Sequence, residues 1–280
     1  MPEKWFVYMQ NQPIGIFDSG LGGLTAMSEI QRLLPDEDFV YFGDTARIPY
    51  GTRSRPVIEK YSMQDCKFLL SKGVKAILIA CGTVSSNALD LLEGSFSLPI
   101  IGVIEGAAGR AAEIAEAGNG IVCVLGTEAT IKSNSFVNAV NKINPHLKVI
   151  SKSCPMFVPL VENGYTNKDN IAANAIADEY LSEIALQKPS AVILGCTHYP
   201  LLADVIGNYL PDSALIDSGR EAALILKEKL SASGLLTGSG RGNTEYYTSD
   251  DITLFASLAK RFLGSDISMN TYKTDIENFS

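Results

Sequence analysis

Ala76-Ile77-Leu78-Ile79-Ala80-Cys81-Gly82-Thr83 is an apolar run that gives way to small and polar residues at a cysteine. Ala191-Val192-Ile193-Leu194-Gly195-Cys196-Thr197-His198 repeats the pattern further along the chain. A short run that is apolar at every position marks a strand covered on both faces, as in a parallel sheet. Similar runs occur at 13–17, 39–42, 99–103, 121–125, 148–150 and 214–216. Between them the apolar positions change period. Leu24, Met27, Ile30 and Leu34 recur at helical steps, and 55–72, 169–187 and 219–231 behave likewise. Alternating strands and helices predict an α/β fold, with ligands held beyond the carboxyl ends of the strands. The two cysteine runs echo each other, and Asp18-Ser19-Gly20 is echoed by Asp217-Ser218-Gly219. We therefore expect two similar doubly wound, mainly parallel-sheet domains with the active site in the cleft between them. Residues 13–103 plus 217–264 would form the first, carrying Cys81, and 104–216 the second, carrying Cys196. The Ser- and Gly-rich stretch 231–242 reads as an exposed loop, and 265–280 as a loosely held polar tail.

At 280 residues with 46% hydrophobic content, the chain can bury two cores. A formal charge of −8 argues against a nucleic-acid surface, which needs clustered Lys and Arg. No apolar run approaches the ~18 residues of a membrane span, and residues 1–12 lack the apolar centre of a signal peptide. The five cysteines, Cys66, Cys81, Cys123, Cys154 and Cys196, are odd in number and widely spaced. That pattern reads as free thiols in a reducing compartment, the cytoplasm, and offers no metal-ligand spacing.

Cys81 and Cys196 each end a strand where a helix is about to begin, and N–H groups there favour a thiolate. Taken singly, such a cysteine is more often a small buried hydrophobe; two at matching strand ends favour chemistry. His198, two residues past Cys196, can serve as proton partner or simply pack in its turn, whereas His146 lies in a polar loop. The turn Asp18-Ser19-Gly20-Leu21-Gly22-Gly23 resembles an anion-binding loop but makes a poor dinucleotide fingerprint. Asp18 would repel a pyrophosphate and suits an ammonium or a neighbouring thiol. Pro49-Tyr50-Gly51 reads as an ordinary turn that can offer N–H groups to an anion. Thr127 and Thr130, after Gly126, can reach a ligand or cap a helix.

Taken together, these segments resemble the glutamate racemase family, within the aspartate/glutamate racemase group, from Pro13 to about Leu263. The matching stretches are Ile16 to Thr25, Tyr41 to Thr45 with Pro49-Tyr50-Gly51, Ala80-Cys81 with Thr83, and Gly102 to Glu105. They continue with Gly126-Thr127, Thr130-Ile131 and Ser133, then Phe157 to Glu162, then Gly195 to Leu201. Their joint occurrence in this order is highly specific. The resemblance implies a cofactor-independent, two-base racemase interconverting L- and D-glutamate for peptidoglycan, and a homodimer. It implies Cys81 and Cys196 on opposite faces of the α-carbon, the first handling D-glutamate and the second L-glutamate. Asp18 would assist Cys81, and His198 would assist Cys196 with Glu162 nearby. Ser19, Pro49, Tyr50, Gly51, Gly82, Thr83, Thr127, Thr130, Thr197 and His198, with Asp18, would contact substrate. Two positions depart from the family pattern. Gly82 replaces the usual Asn, removing an amide donor at a cost of about 1.5–3 kcal/mol unless a neighbour such as Asn87 substitutes. Gly106 stands where proline is common. A racemase of aspartate or another amino acid, and a non-catalytic binding protein on this scaffold, are the alternatives.

Overall fold

The computed structural model describes residues 9–237 and 242–280. Within the expected loop 231–242, residues 238–241 lie outside the described residues, as do 1–8 of the N-terminal segment. The described strands make two sheets, and every pairing is parallel. The first sheet contains β1 (Ile14–Asp18), β2 (Phe39–Gly43), β3 (Ala76–Ile79) and β4 (Ile100–Ile101), together with β9 (Thr244–Thr248) and β10 (Thr271–Lys273). Its order is β10-β9-β2-β1-β3-β4. The second contains β5 (Ile121–Gly126), β6 (Lys148–Ser153), β7 (Ala191–Leu194) and β8 (Ala214–Asp217), in the order β6-β5-β7-β8.

Strands β1, β2, β3 and β7 are buried at every position, which is why their sequences are apolar without alternation. One apolar cluster runs from Ile14, Ile16 and Leu78 through Met27 and Ala111 to Val122, Val124 and Ile193, so the two sheets share a continuous core. A second cluster, with Phe17, Phe42, Phe68, Ile77 and Ile79, covers the other face of the first sheet. Helix Ser218–Ala232 packs against strands of both sheets and against helices Leu24–Leu33 and Ile104–Ala117. Small residues allow close approach there: a Cβ on Gly219 would stand 2.7 Å from the Cβ of Ala26, and one on Gly106 would stand 2.9 Å from the carbonyl oxygen of Glu221.

The tail differs from expectation. Residues 271–273 pair with β9, Ile276 is buried, and the Phe279 ring meets Phe68 edge-on at 5.4 Å. A few apolar side chains spaced among polar ones hold this segment to the first sheet.

Candidate active site

The carboxyl ends of β1, β3, β5 and β7 converge on a cavity of about 400 Å³, within the ~300–1,000 Å³ range of small-molecule sites. Ser19, Pro49, Tyr50, Gly51, Cys81, Gly82, Thr83, Thr127, Glu162, Cys196, Thr197 and His198 all line it. Gly20, Ile48, Thr52, Glu128, Pro155, Val158 and Pro159 also line it. The sequence reading missed these. Gly20, Val158 and Pro159 lie inside quoted motifs and Ile48, Thr52 and Glu128 directly beside them, but only the fold shows that these residues face the cavity.

Two expected contacts are placed elsewhere. Thr130 is buried behind Thr127, whose hydroxyl donates to it at 3.0 Å, and does not line the cavity. Its position after the strand suggested ligand contact, but helix packing turned it inward. Asp18 lies beneath the floor, 1% exposed, and reaches the site through its neighbours. Its carboxylate accepts from Gly20 N–H at 2.9 Å and from the Thr197 hydroxyl at 3.4 Å. Asp217 makes the same turn at the end of β8, accepting from Gly219 N–H at 2.8 Å. Asn87 does not replace an amide at position 82; its side chain bonds the carbonyl of Thr83 at 2.8 Å.

The two thiols stand in unlike surroundings. Cys81 N-caps the short helix Gly82–Asn87, and its Sγ is 3.5 Å from the Ser19 hydroxyl. Burial and the Asp18 charge push its thiol up to about 12, against the hydroxyl and backbone N–H of Ser19 and the N–H of Val84. Burial raises Asp18 as well, opposed by His198 and by the N–H groups of Gly20 and Gly23. Cys196 faces an imidazole: its Sγ is 3.9 Å from His198 Nδ1, and His198 Nε2 is 3.1 Å from Glu162 Oε1. Burial disfavours a charged His198, yet its bonds to Cys196 and Glu162 prevail and hold it up to about 10. One thiol is thus held neutral, and the other is paired with a protonated base.

Contacts between the sheets surround this pair. The Thr25 hydroxyl donates to the Thr197 carbonyl at 2.8 Å, and the hydroxyls of Thr83 and Thr127 lie 3.0 Å apart. Gly82 packs on the other strand end so closely that an added Cβ would lie 2.1 Å from the Gly195 carbonyl oxygen. A Cβ on Gly22 would stand 2.3 Å from the Thr197 hydroxyl and 2.4 Å from His198 Nδ1. The missing side chain at 82 therefore permits backbone contact at the heart of the cleft. No cluster of three or more His, Cys, Asp or Glu among the described residues is placed to hold a metal.

A model of the Asp/Glu/Hydantoin racemase family matches residues 16–226. The chain belongs to the Asp/Glu/hydantoin racemase family. Within that family's wider relatives, a glutamate racemase of Geobacter metallireducens is 44% identical over 266 residues, covering 94% of this chain and 97% of that protein. Glutamate racemase from Francisella tularensis, solved in complex with D-glutamate, matches with a TM-score of 0.89 at 36% identity over 96% of this chain and 99% of that one. The Thermus thermophilus enzyme, solved with beta-chloro-D-alanine, gives 0.86 at 41% identity over 96% and 98%. Family membership covers both cysteine-bearing strand ends.

Proposed function

We propose that the chain interconverts L- and D-glutamate, with Cys81 and Cys196 as paired acid and base. One observation carries this reading: two strand-end thiols, one from each sheet, line a single cavity, Cys81 beside the Ser19 hydroxyl and Cys196 beside the His198–Glu162 pair. The glutamate named for the relatives above supports the choice of substrate. The Cys196 thiolate, stabilised by the His198 imidazolium, takes the α-proton of L-glutamate and becomes a thiol. The Cys81 thiol donates its proton to the other face of the α-carbon and becomes a thiolate. Proton and charge balance, and the enzyme is left set for the D-to-L direction until exchange with solvent restores it. A thiol has an ordinary pKa of about 8.5, so one residue type can act as acid in one direction and as base in the other. Ser19, Thr83, Thr127, Thr197 and the turn Pro49-Tyr50-Gly51 supply hydroxyls and N–H groups for the carboxylates, and Asp18 tunes Cys81 from below. Water exclusion strengthens each of these interactions.

We take the chain as two domains, 13–103 plus 217–264 and 104–216, one built on each sheet, with the tail strand 271–273 added to the first. We place the enzyme in the cytoplasm as a homodimer supplying D-glutamate for peptidoglycan. No helix among the described residues is long and apolar enough to cross a membrane. The test is racemisation in D₂O without pyridoxal phosphate. Deuterium should appear at the α-carbon of glutamate of either hand as it racemises. Turnover of aspartate alone would replace the substrate assignment, and inertness toward both would leave a binding protein.

A further inference from the structure

The turn Ile48 to Thr52 lines the cavity, and nothing in its own short sequence explains why it stays there. The explanation lies behind it, in a group of buried charges that do not themselves line the cavity. Arg47 precedes the turn with its side chain only 9% exposed. Its Nε is 2.6 Å from Asp44, its second amine is 3.0 Å from Asp65, and its remaining amine donates to Gln64. The guanidinium also lies over the Tyr61 ring at 4.1 Å. Both carboxylates are fully buried, and the Tyr50 hydroxyl donates to both, to Asp65 at 3.2 Å. The Tyr50 hydroxyl is therefore committed to these two carboxylates, and the turn has its backbone and the Tyr50 ring to offer a ligand. From the far side, the end of the chain reaches the same group. Glu277 is 3.6 Å from Arg47, and the Gln64 amide donates to the Ser280 hydroxyl at 2.9 Å. Across the cleft, Gly51 rests on Thr127, where an added Cβ would come within 3.0 Å.

We infer that Arg47 is a positioning residue that holds the turn Pro49 to Thr52 against the substrate, fastened from behind by the C-terminal residues Glu277 and Ser280. The forked guanidinium matters because it meets Asp44, Asp65 and Gln64 at once, which a point charge cannot do. Without it, two buried carboxyls lose their counter-charge and Tyr50 loses its anchor.

This inference rests on the proposed glutamate chemistry for its kinetic readout, but a second readout does not. Arg47→Met should raise KM for both enantiomers by about tenfold while kcat changes less than about threefold, because ground-state positioning is lost and the thiols stay in place. Arg47→Lys should recover part of that loss, and Glu277→Gln should shift KM in the same direction by a smaller factor. Amide hydrogen exchange of a peptide spanning 48–54 should quicken by about tenfold in Arg47→Met, with strands β1 and β3 unchanged. KM within about twofold of the parent together with unaltered exchange would overturn the assignment. If Arg47→Met does not fold, the lysine and Glu277→Gln variants decide on the same terms. If the parent enzyme proves inert toward glutamate, the functional reading fails, and the exchange rates alone still decide the role of Arg47.

Discussion

At the scale of single residues, the informative contrast is between two cysteines of the same type in matching positions. Cys81 is held as a thiol by burial and by Asp18, whereas Cys196 has an imidazolium partner. Alkylation at neutral pH should therefore label Cys196 first, as read by peptide mass mapping, with Cys66, Cys123 and Cys154 unreactive in the core. Faster labelling of Cys81 would reverse the assignment of resting states. The pH–rate profile follows from the same groups. His198 has a raised value, so its proton is present below about 10 and lost above it. The rate from L-glutamate should fall as pH rises through that region, as the thiolate at Cys196 loses its counter-charge. His198→Asn should remove this limb and lower kcat from L-glutamate more than kcat from D-glutamate, with the two KM values changing in step, in saturation assays run in both directions.

At the scale of elements, the strand ends bring function into register. The floor of the cavity is the meeting of two backbone turns, and Gly82 is its tightest point. Gly82→Ala should push the thiol-bearing ends apart and lower kcat by about a hundredfold, since a ~1 Å misplacement costs about that much. Circular dichroism should remain that of the parent; full activity in this variant would show that the contact is dispensable. The strands and cysteines that build this floor were legible because a doubly covered strand needs an unbroken apolar run. Thr244–Thr248 and Thr271–Lys273 escaped notice because they are short, carry charged and hydroxyl side chains, and include exposed positions. The close approach at Gly82 was equally hidden: in one dimension a missing side chain looks like a lost contact, and only the facing Gly195 reveals it as a fitted one. Arg47 was passed over for a related reason, since its partners at 44, 64, 65 and 277 come together only after folding.

At the scale of the whole molecule, the tail expected to be loosely held completes the first sheet and touches the group behind the substrate turn. Truncating Ile276 to alanine should destabilise the protein by about 2–4 kcal/mol, the usual cost for a buried isoleucine, with a lower urea midpoint as the measure. An unchanged midpoint would mean that the tail is merely laid on the surface. The molecule also has an asymmetry that its reaction lacks. Substrate and product are mirror images and have equal free energy in water, so the equilibrium constant is unity whatever the enzyme does. The two sides of the cavity, Ser19 and Asp18 beneath one sulfur and His198 and Glu162 beside the other, are not mirror images. Turnover number and Michaelis constant are therefore free to differ between the two directions, but only in step, because their ratios must be equal. Any substitution on one side of the cavity alone, however damaging, must obey the same Haldane constraint.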